Sequence, residues 1–125
     1  MLQVLCSGET RELKLSGTCR ELHALGQLLR GEAGSLDLSE NRHPFPYARS
    51  LSGIAFREDP EHDTASIVTE DQILRIQGRR EALDLLADNI EGFATEGDAS
   101  DHCHVDSSTY DYIAPGSDSL VIAFR

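Results

Sequence analysis

The sequence predicts an α+β fold in which two tandem β-β-α-β-β units pack as one pseudo-twofold domain, with a mostly antiparallel sheet and two helices on one face. Three observations support this prediction. The chain has 125 residues, of which 39% are hydrophobic and 26% charged, so it can bury one core without disulfides or metals. Apolar residues recur with the periods of strands and of helices. The same order of elements occurs twice along the chain.

The internal repeat consists of two pairs of matching segments in the same order. Residues 13–17 (Leu-Lys-Leu-Ser-Gly) correspond to residues 74–78 (Leu-Arg-Ile-Gln-Gly), and residues 54–57 (Ile-Ala-Phe-Arg) recur at residues 122–125. The offset between matching positions grows from 61 to 68 residues. The second unit therefore has about seven additional residues between its helix and its last strand.

The repeat also sets the expected domain organisation. We place the two units at residues 1–57 and 65–125, joined by a polar, acidic linker at residues 58–64. Each unit alone is near the lower size limit for a stable core. Because the linker is too short to separate independent domains, we expect a single domain spanning residues 1–125.

In the first unit, alternating apolar residues predict strands and a leucine stripe predicts a helix. The helix begins at a capping box formed by Thr18 and Glu21 and stops at Gly31. Two prolines in residues 41–47 exclude a regular ladder strand, so this segment is predicted as a loop. The remaining predictions are strands at 2–6, 12–15, 35–38 and 51–56, a turn at 7–10, and inward-facing Leu22, Leu25, Leu28 and Leu29.

The second unit repeats this order. Its helix is predicted from Arg79 to Glu91, with Gly92 as its stop. The pair Pro115-Gly116 suits the centre of a type II turn. The remaining predictions are strands at 65–68, 72–76, 101–106 and 120–124, a turn at 69–71, and inward-facing Leu83, Leu86, Ala87 and Ile90.

The charge of the chain limits the classes of partner. The net charge is −11, which disfavours binding to nucleic-acid phosphates. It favours a basic partner, or serves only solubility. The acids are concentrated in the second unit, where residues 81–124 contain ten Asp or Glu and no Lys or Arg.

Location is predicted from cysteine usage and hydropathy. Cys6, Cys19 and Cys103 are widely spaced and form no C-x-x-C pair, which is typical of free thiols in a reducing cytoplasm. The apolar runs are too short to span a membrane, and the first residues lack the pattern of a signal peptide. We therefore expect a cytoplasmic protein that does not bind membranes.

The exposed faces of the two predicted helices differ in charge. The first helix has a neutral-to-basic set of side chains on this face, and the side chains 61 residues later, on the second helix, are all acidic. Three interpretations remain open: Arg20 or Arg30 pairs with Glu91 or Glu81, the acids face a partner protein, or the pattern has no role. The two sets are Arg20, His23, Gln27 and Arg30 on the first helix, and Glu81, Asp84, Asp88 and Glu91 on the second.

Residues 101–106 (Asp-His-Cys-His-Val-Asp) have the highest density of reactive side chains. Strand alternation places His102, His104 and Asp106 on one side and turns Cys103 and Val105 towards the core. A His-x-His pair with a carboxylate can bind zinc, but the sequence fixes no fourth ligand, for which His43 and His62 are only candidates. A strand that faces solvent or an interface is the alternative that we favour.

Residues 72–125 contain a series of short motifs in a fixed order: Gly78, the helix at 81–87, the strand His102-x-His104-x-Asp106, Pro115-Gly116-Ser117 and Leu120-Val121-Ile122. In this order of motifs the second unit resembles the immunity protein 32 family of bacterial polymorphic toxin systems. The resemblance implies a small cytoplasmic α+β protein that neutralises a toxin encoded beside it, and it places a family acidic position at Asp106. The first unit lacks the histidine strand and resembles the family only through the repeat.

The combined prediction is an immunity protein without enzymatic activity, metal or cofactor that binds a basic toxin, such as a nuclease. No phosphate-binding loop, nucleophile elbow or His-Glu-x-x-His motif is present in the sequence. We expect a monomer that acts as a pseudo-dimer. The expected partner-binding residues are His102, His104, Asp106, Tyr110, Asp111 and Tyr112 in contact, and Asp84, Asp88 and Glu91 at longer range.

Two alternatives remain for this sequence. One is a small metal-binding protein or enzyme that uses the strand His102-x-His104-x-Asp106. The other is a regulatory module that binds a protein unrelated to toxins.

Overall fold

Two mixed β-sheets and a pair of helices form the structure, a computed structural model that describes residues 1–7 and 10–125. The predicted turn at residues 7–10 therefore lies partly outside the described residues. In chain order the elements are β1 (Gln3–Cys6), β2 (Glu12–Gly17), α1 (Cys19–Leu29), β3 (Ala33–Asp37), β4 (Arg49–Ser50), β5 (Gly53–Glu58), β6 (Ser66–Glu70), β7 (Ile73–Gly78), α2 (Arg80–Glu96), β8 (His102–Val105) and β9 (Ser119–Phe124).

Each sheet combines strands from both halves of the chain. The five-stranded sheet has the order β4-β1-β2-β9-β8, and the four-stranded sheet has the order β3-β5-β7-β6. Strands β2 and β9 pair in parallel, as do β5 and β7, whereas the other neighbours are antiparallel. The structure thus confirms an α+β fold.

The arrangement of sheets differs from the predicted one. There are two sheets instead of one, and α1 contacts β2 of the first sheet and β3 of the second. The helices therefore do not lie together on one face of a single sheet. The prediction missed this because each parallel pair joins strands far apart in the chain, as where Leu13 faces Leu120, and local sequence patterns carry no signal for such pairing.

One hydrophobic core receives side chains from both sheets and both helices. The predicted inward residues of the helices are buried, except for Leu28, which is only partly buried. The buried ones are Leu22, Leu25, Leu29, Leu83, Leu86, Ala87 and Ile90. Helices α1 and α2 also pack directly against each other, so the core is continuous between the two units.

The start of α1 agrees with its predicted position, whereas the end of α2 does not. At the start of α1, the Thr18 hydroxyl accepts a hydrogen bond from the Glu21 amide, and the Glu21 carboxylate accepts one from the Thr18 amide. The capping box is therefore confirmed. Helix α2 does not stop at Gly92 but continues to Glu96, so that prediction was wrong.

Packing explains why α2 continues past Gly92. A glycine inside a helix costs about 1 kcal/mol relative to alanine. The following turn compensates because Ala94 is buried and the Phe93 ring stacks on Phe124, with centroids 4.6 Å apart. Burial of this apolar surface outweighs the weak helix propensity of one residue.

Smaller differences concern strand ends and turns. Strand β5 begins at Gly53, two residues after the predicted start, and the short β4 pairs with β1 ahead of it. Asp106 lies just outside β8. The predicted turn at Pro115-Gly116 is supported, because Gly116 has φ of 88° and the Ser117 amide donates to the Ala114 carbonyl at 3.1 Å.

Two further observations concern the hydropathy of the helices and the cysteines. The described residues include no helix that is both long and apolar enough to cross a membrane. The thiols of Cys6, Cys19 and Cys103 are free.

Candidate functional site

The histidine strand lies at the edge of the five-stranded sheet. Strand β8 pairs with β9 on one side and ends the sheet on the other. His102 and His104 are exposed, Val105 is buried, and Cys103 is partly buried. The predicted alternation is therefore confirmed for the strand, and burial raises the pKa of the Cys103 thiol.

Asp106 organises the turn that follows β8. Its Oδ1 accepts hydrogen bonds from the hydroxyls of Ser108 at 2.7 Å and Thr109 at 2.8 Å, and from both of their backbone amides. These bonds favour the charged carboxylate and lower the pKa of Asp106 to about 2. Ser119 of β9 donates to Oδ2 at 3.3 Å. The carboxylate thus holds the turn against the neighbouring strand.

The tyrosine pair lies in the same loop. The rings of Tyr110 and Tyr112 are 5.3 Å apart between centroids, and both pack partly buried against the core, whereas Asp111 between them is exposed. The Tyr112 hydroxyl accepts a hydrogen bond from the Asn89 amide of α2. Burial raises the pKa of Tyr112 to about 12. Tyr112 therefore also fastens the loop to the helix.

The acidic face of α2 meets the first helix. The Arg30 guanidinium lies 2.7 Å from an Asp88 oxygen and 4.0 Å from an Asp84 oxygen, and it also pairs with Glu91. Gln27 donates to the Glu91 carboxylate as well. Of the three interpretations of the two helix faces, the structure shows pairing between helices, through Arg30 and Glu91.

A groove separates the second half of α2 from β8. Its volume is about 600 Å³. It brings together His102, His104, Tyr110 and Asp88 of the predicted site, whereas the other predicted site residues do not line it. The lining residues are Asp88, Asn89, Gly92, Phe93, Glu96, Gly97, His102, Cys103, His104, Thr109 and Tyr110.

The zinc alternative gains no support from the side-chain positions. Within residues 1–7 and 10–125, no three His, Cys, Asp or Glu side chains come together as a metal site requires. The carboxylate considered as a third ligand, that of Asp106, is bonded to turn hydroxyls.

Sequence reasoning missed two features, one at the groove and one outside its lining residues. Gly92 and Glu96 line the groove, but the helix was predicted to end before them. The signal was the apolar spacing that continues from Ile90 to Ala94, which is helical. The second feature is Phe45 in the loop of residues 41–47, which is 91% exposed and has no sequence signal beyond its flanking prolines.

The comparisons with known proteins agree with the resemblance in the sequence. No curated protein and no solved structure gave a match to the chain. One family model matches a segment that contains all of β7, α2, β8 and β9, with the loop between the last two strands. Residues 73–125 match the family model of immunity protein 32.

Proposed function

We propose that this protein is a cytoplasmic immunity protein that binds and neutralises a cognate bacterial toxin domain, without catalysing a reaction. The observation that carries the proposal is the match of residues 73–125 to immunity protein 32. This segment contains the exposed histidines of β8, the tyrosine loop and the groove beside α2. The features expected of a partner-binding surface therefore lie in the part of the chain that resembles the family.

Charge supports a basic toxin as the partner. The net charge of −11 attracts a basic surface and accelerates association with it. Enzymes that act on nucleic acids have such surfaces, so a nuclease toxin is the class that fits best. Arg30 neutralises part of the acidic face of α2, which leaves the exposed acids of residues 96–111 as the larger contribution.

We assign partner contact to the loop and strand side chains. His102, His104 and Asp111 are exposed and free to be covered by a toxin. Aromatic side chains such as Tyr110 and Tyr112 are frequent anchors of protein interfaces. We expect Asp106 to act by holding the loop, and Asp84, Asp88 and Glu91 to act at longer range through charge.

We also propose that the two repeat units are related by a pseudo-twofold axis and form one domain. The strand order supports this, because β1-β2-β9-β8 in one sheet corresponds repeat for repeat to β6-β7-β5-β3 in the other. In this arrangement the two units of one chain exchange strands, as the two subunits of a domain-swapped dimer do.

The proposal is tested with the toxin domain encoded by the adjacent gene. Co-expression of this protein should restore growth to cells that produce the toxin, and the purified pair should bind. Growth arrest despite co-expression, together with no measurable binding, would contradict the immunity function and favour a regulatory module with another partner.

Binding kinetics at two salt concentrations separate the roles of the side chains. The double variant Asp84→Asn/Asp88→Asn should slow association and weaken its dependence on salt, because charges outside the direct contact act mainly on encounter. Tyr110→Ala should speed dissociation by tenfold or more if the ring is an anchor. Unchanged kinetics in both variants would place the interface elsewhere on the molecule.

A further inference from the structure

We propose that the groove between α2 and β8 receives an extended, basic segment of the toxin, which adds as a strand to the free edge of β8. This inference rests on the proposed immunity function and specifies how the partner is bound. The occupant is a stretch of toxin backbone with Lys or Arg side chains directed towards α2.

The edge of β8 has the backbone groups that such a segment needs. Among the described residues, no backbone hydrogen bond joins His102–Val105 to an element other than β9. The opposite situation holds at β6, whose outer side is already covered. There, the Asp118 amide donates to the Ile67 carbonyl at 2.7 Å, and Ala65 is bridged to Ile113. An unpaired strand edge is a template for a strand from another chain.

The groove has the space for side chains of an added strand. A Cβ atom placed on Gly92 would meet no heavy atom within 4 Å, so the wall of α2 is open at this point. Phe93, Cys103 and Tyr110 provide apolar contact for the aliphatic stem of a long side chain. The volume of about 600 Å³ is sufficient for several side chains.

Charge complementarity selects a basic occupant. Glu96 lines the groove, and the connection between its two walls contains Asp98 and Asp101. Residues 81–124 provide no Lys or Arg to neutralise these acids. A Lys or Arg side chain in the groove would therefore meet the Glu96 carboxylate, and the acids of the connecting loop would add to the attraction.

The corresponding groove of the first unit is an internal comparison. It lies between α1 and β3, has a volume of about 370 Å³ and is lined mainly by apolar side chains, including Leu28 and Leu36. By strand register, Asp37 rather than Leu36 corresponds to His104 of the second unit. Glu21 in this groove pairs with the N-terminal amino group, whereas the larger groove beside β8 has no Lys, Arg or amino terminus among its lining residues, so we assign the basic toxin segment to the groove beside β8.

The decisive variant fills the groove without disturbing the fold. Gly92→Arg places a bulky cation where the structure has open space, and it replaces a residue that disfavours helix. We expect the toxin domain of the adjacent gene to bind this variant at least tenfold more weakly, with no fall in its melting temperature. Val68→Arg is the matched control, because Val68 is 38% exposed on β6 in the other sheet, and its affinity should be unchanged.

Hydrogen exchange separates strand addition from contact by side chains alone. The outward amides of β8 should become protected when the toxin domain binds, whereas those of β3 should not. Wild-type binding with unaffected Gly92→Arg affinity, or with no protection of β8, would overturn this inference and leave the immunity function intact. Loss of self-association in Gly92→Arg would identify a second copy as the occupant and overturn it too. Absence of any wild-type binding would overturn both proposals.

Discussion

At the scale of single residues, Asp106 illustrates how one carboxylate stabilises the fold through hydrogen bonds within the protein. The sequence suggested an outward-facing residue at the end of a strand. The structure places its oxygens against Ser108, Thr109 and Ser119. The spacing Asp-x-Ser-Thr is a sequence signal for this turn, because aspartate side chains commonly accept hydrogen bonds from amides two and three residues later.

The first prediction is that Asp106 makes stability depend on acid. Because its folded-state pKa is about 2 and its ordinary value is 3.8, its contribution is complete above pH 4 and is lost as the pH falls towards 2. Asp106→Asn should therefore unfold with a free energy about 1 kcal/mol lower than the wild type at pH 6, and the difference should vanish near pH 2.

Urea unfolding at several pH values measures this difference. Asp111→Asn is the control, since it changes an exposed carboxylate in the same loop. A constant difference between wild type and Asp106→Asn from pH 6 to pH 2 would contradict the assignment.

The second prediction compares two phenylalanines of the first unit. Phe56 is 4% exposed and Phe45 is 91% exposed. Phe56→Ala should lower the free energy of unfolding by about 3–5 kcal/mol, because it leaves a cavity in the core. Phe45→Ala should change it by less than about 0.5 kcal/mol. Chemical denaturation of both variants checks this, and a large loss for Phe45→Ala would mean that the loop of residues 41–47 is packed in solution.

At the scale of elements, the helix pair depends on one close approach. Gly26 of α1 faces Glu91 of α2, and a Cβ at Gly26 would collide with the Glu91 Cγ atom. Glu91 is held there by Arg30 and Gln27. The absence of a side chain at Gly26 therefore allows the carboxylate to reach both partners.

The third prediction makes the same substitution in both helices. Gly92→Ala should raise the free energy of unfolding by about 0.5–1 kcal/mol, because alanine favours helix and the position is open. Gly26→Ala should lower it, because Glu91 must move and lose its bonds across the helix pair. Thermal unfolding gives both values. An equal stabilisation by the two substitutions would contradict the described contact between Gly26 and Glu91.

Helix ends and turns show which features can be predicted from neighbouring residues in the sequence. The capping box at Thr18 and the turn at Gly116 were predicted because each depends on residues a few positions apart. The end of α2 was not, because its last turn is stabilised by contact between Phe93 and Phe124, on different elements. The pairing of Arg30 with Glu91 was one of several alternatives, since helix faces can be read from sequence but their relative placement cannot.

At the scale of the whole molecule, the unpredicted part is the exchange of strands between sheets. The predicted strands lie within a few residues of the observed ones, although β4 was not predicted. The pairing was not predicted either, because the parallel partner of β2 is β9 and that of β7 is β5. Of the candidate site, the exposed histidines were predicted from strand alternation. The groove was not, because it requires α2 to extend beside an edge strand.

The fourth prediction follows from this exchange. Fragments of residues 1–64 and 65–125 should each lack cooperative unfolding as monomers, because each sheet contains strands from both fragments. Mixed in equal amounts, the fragments should form a 1:1 complex with the circular dichroism of the intact chain. A monomeric, cooperatively folded fragment of either half would contradict strand exchange between the units.

The pairing of β2 with β9 also determines when, during synthesis, the five-stranded sheet can form. Chains are synthesised at about 5–20 residues per second, and β9 follows β2 by roughly a hundred residues. The edge of β2 therefore stays open for several seconds during synthesis, and the sheet that ends in β8 closes only after nearly the whole chain has been made. If the protein has the proposed immunity function and binds through that sheet, a nascent or truncated chain gives no protection, and complete molecules must be present before the toxin.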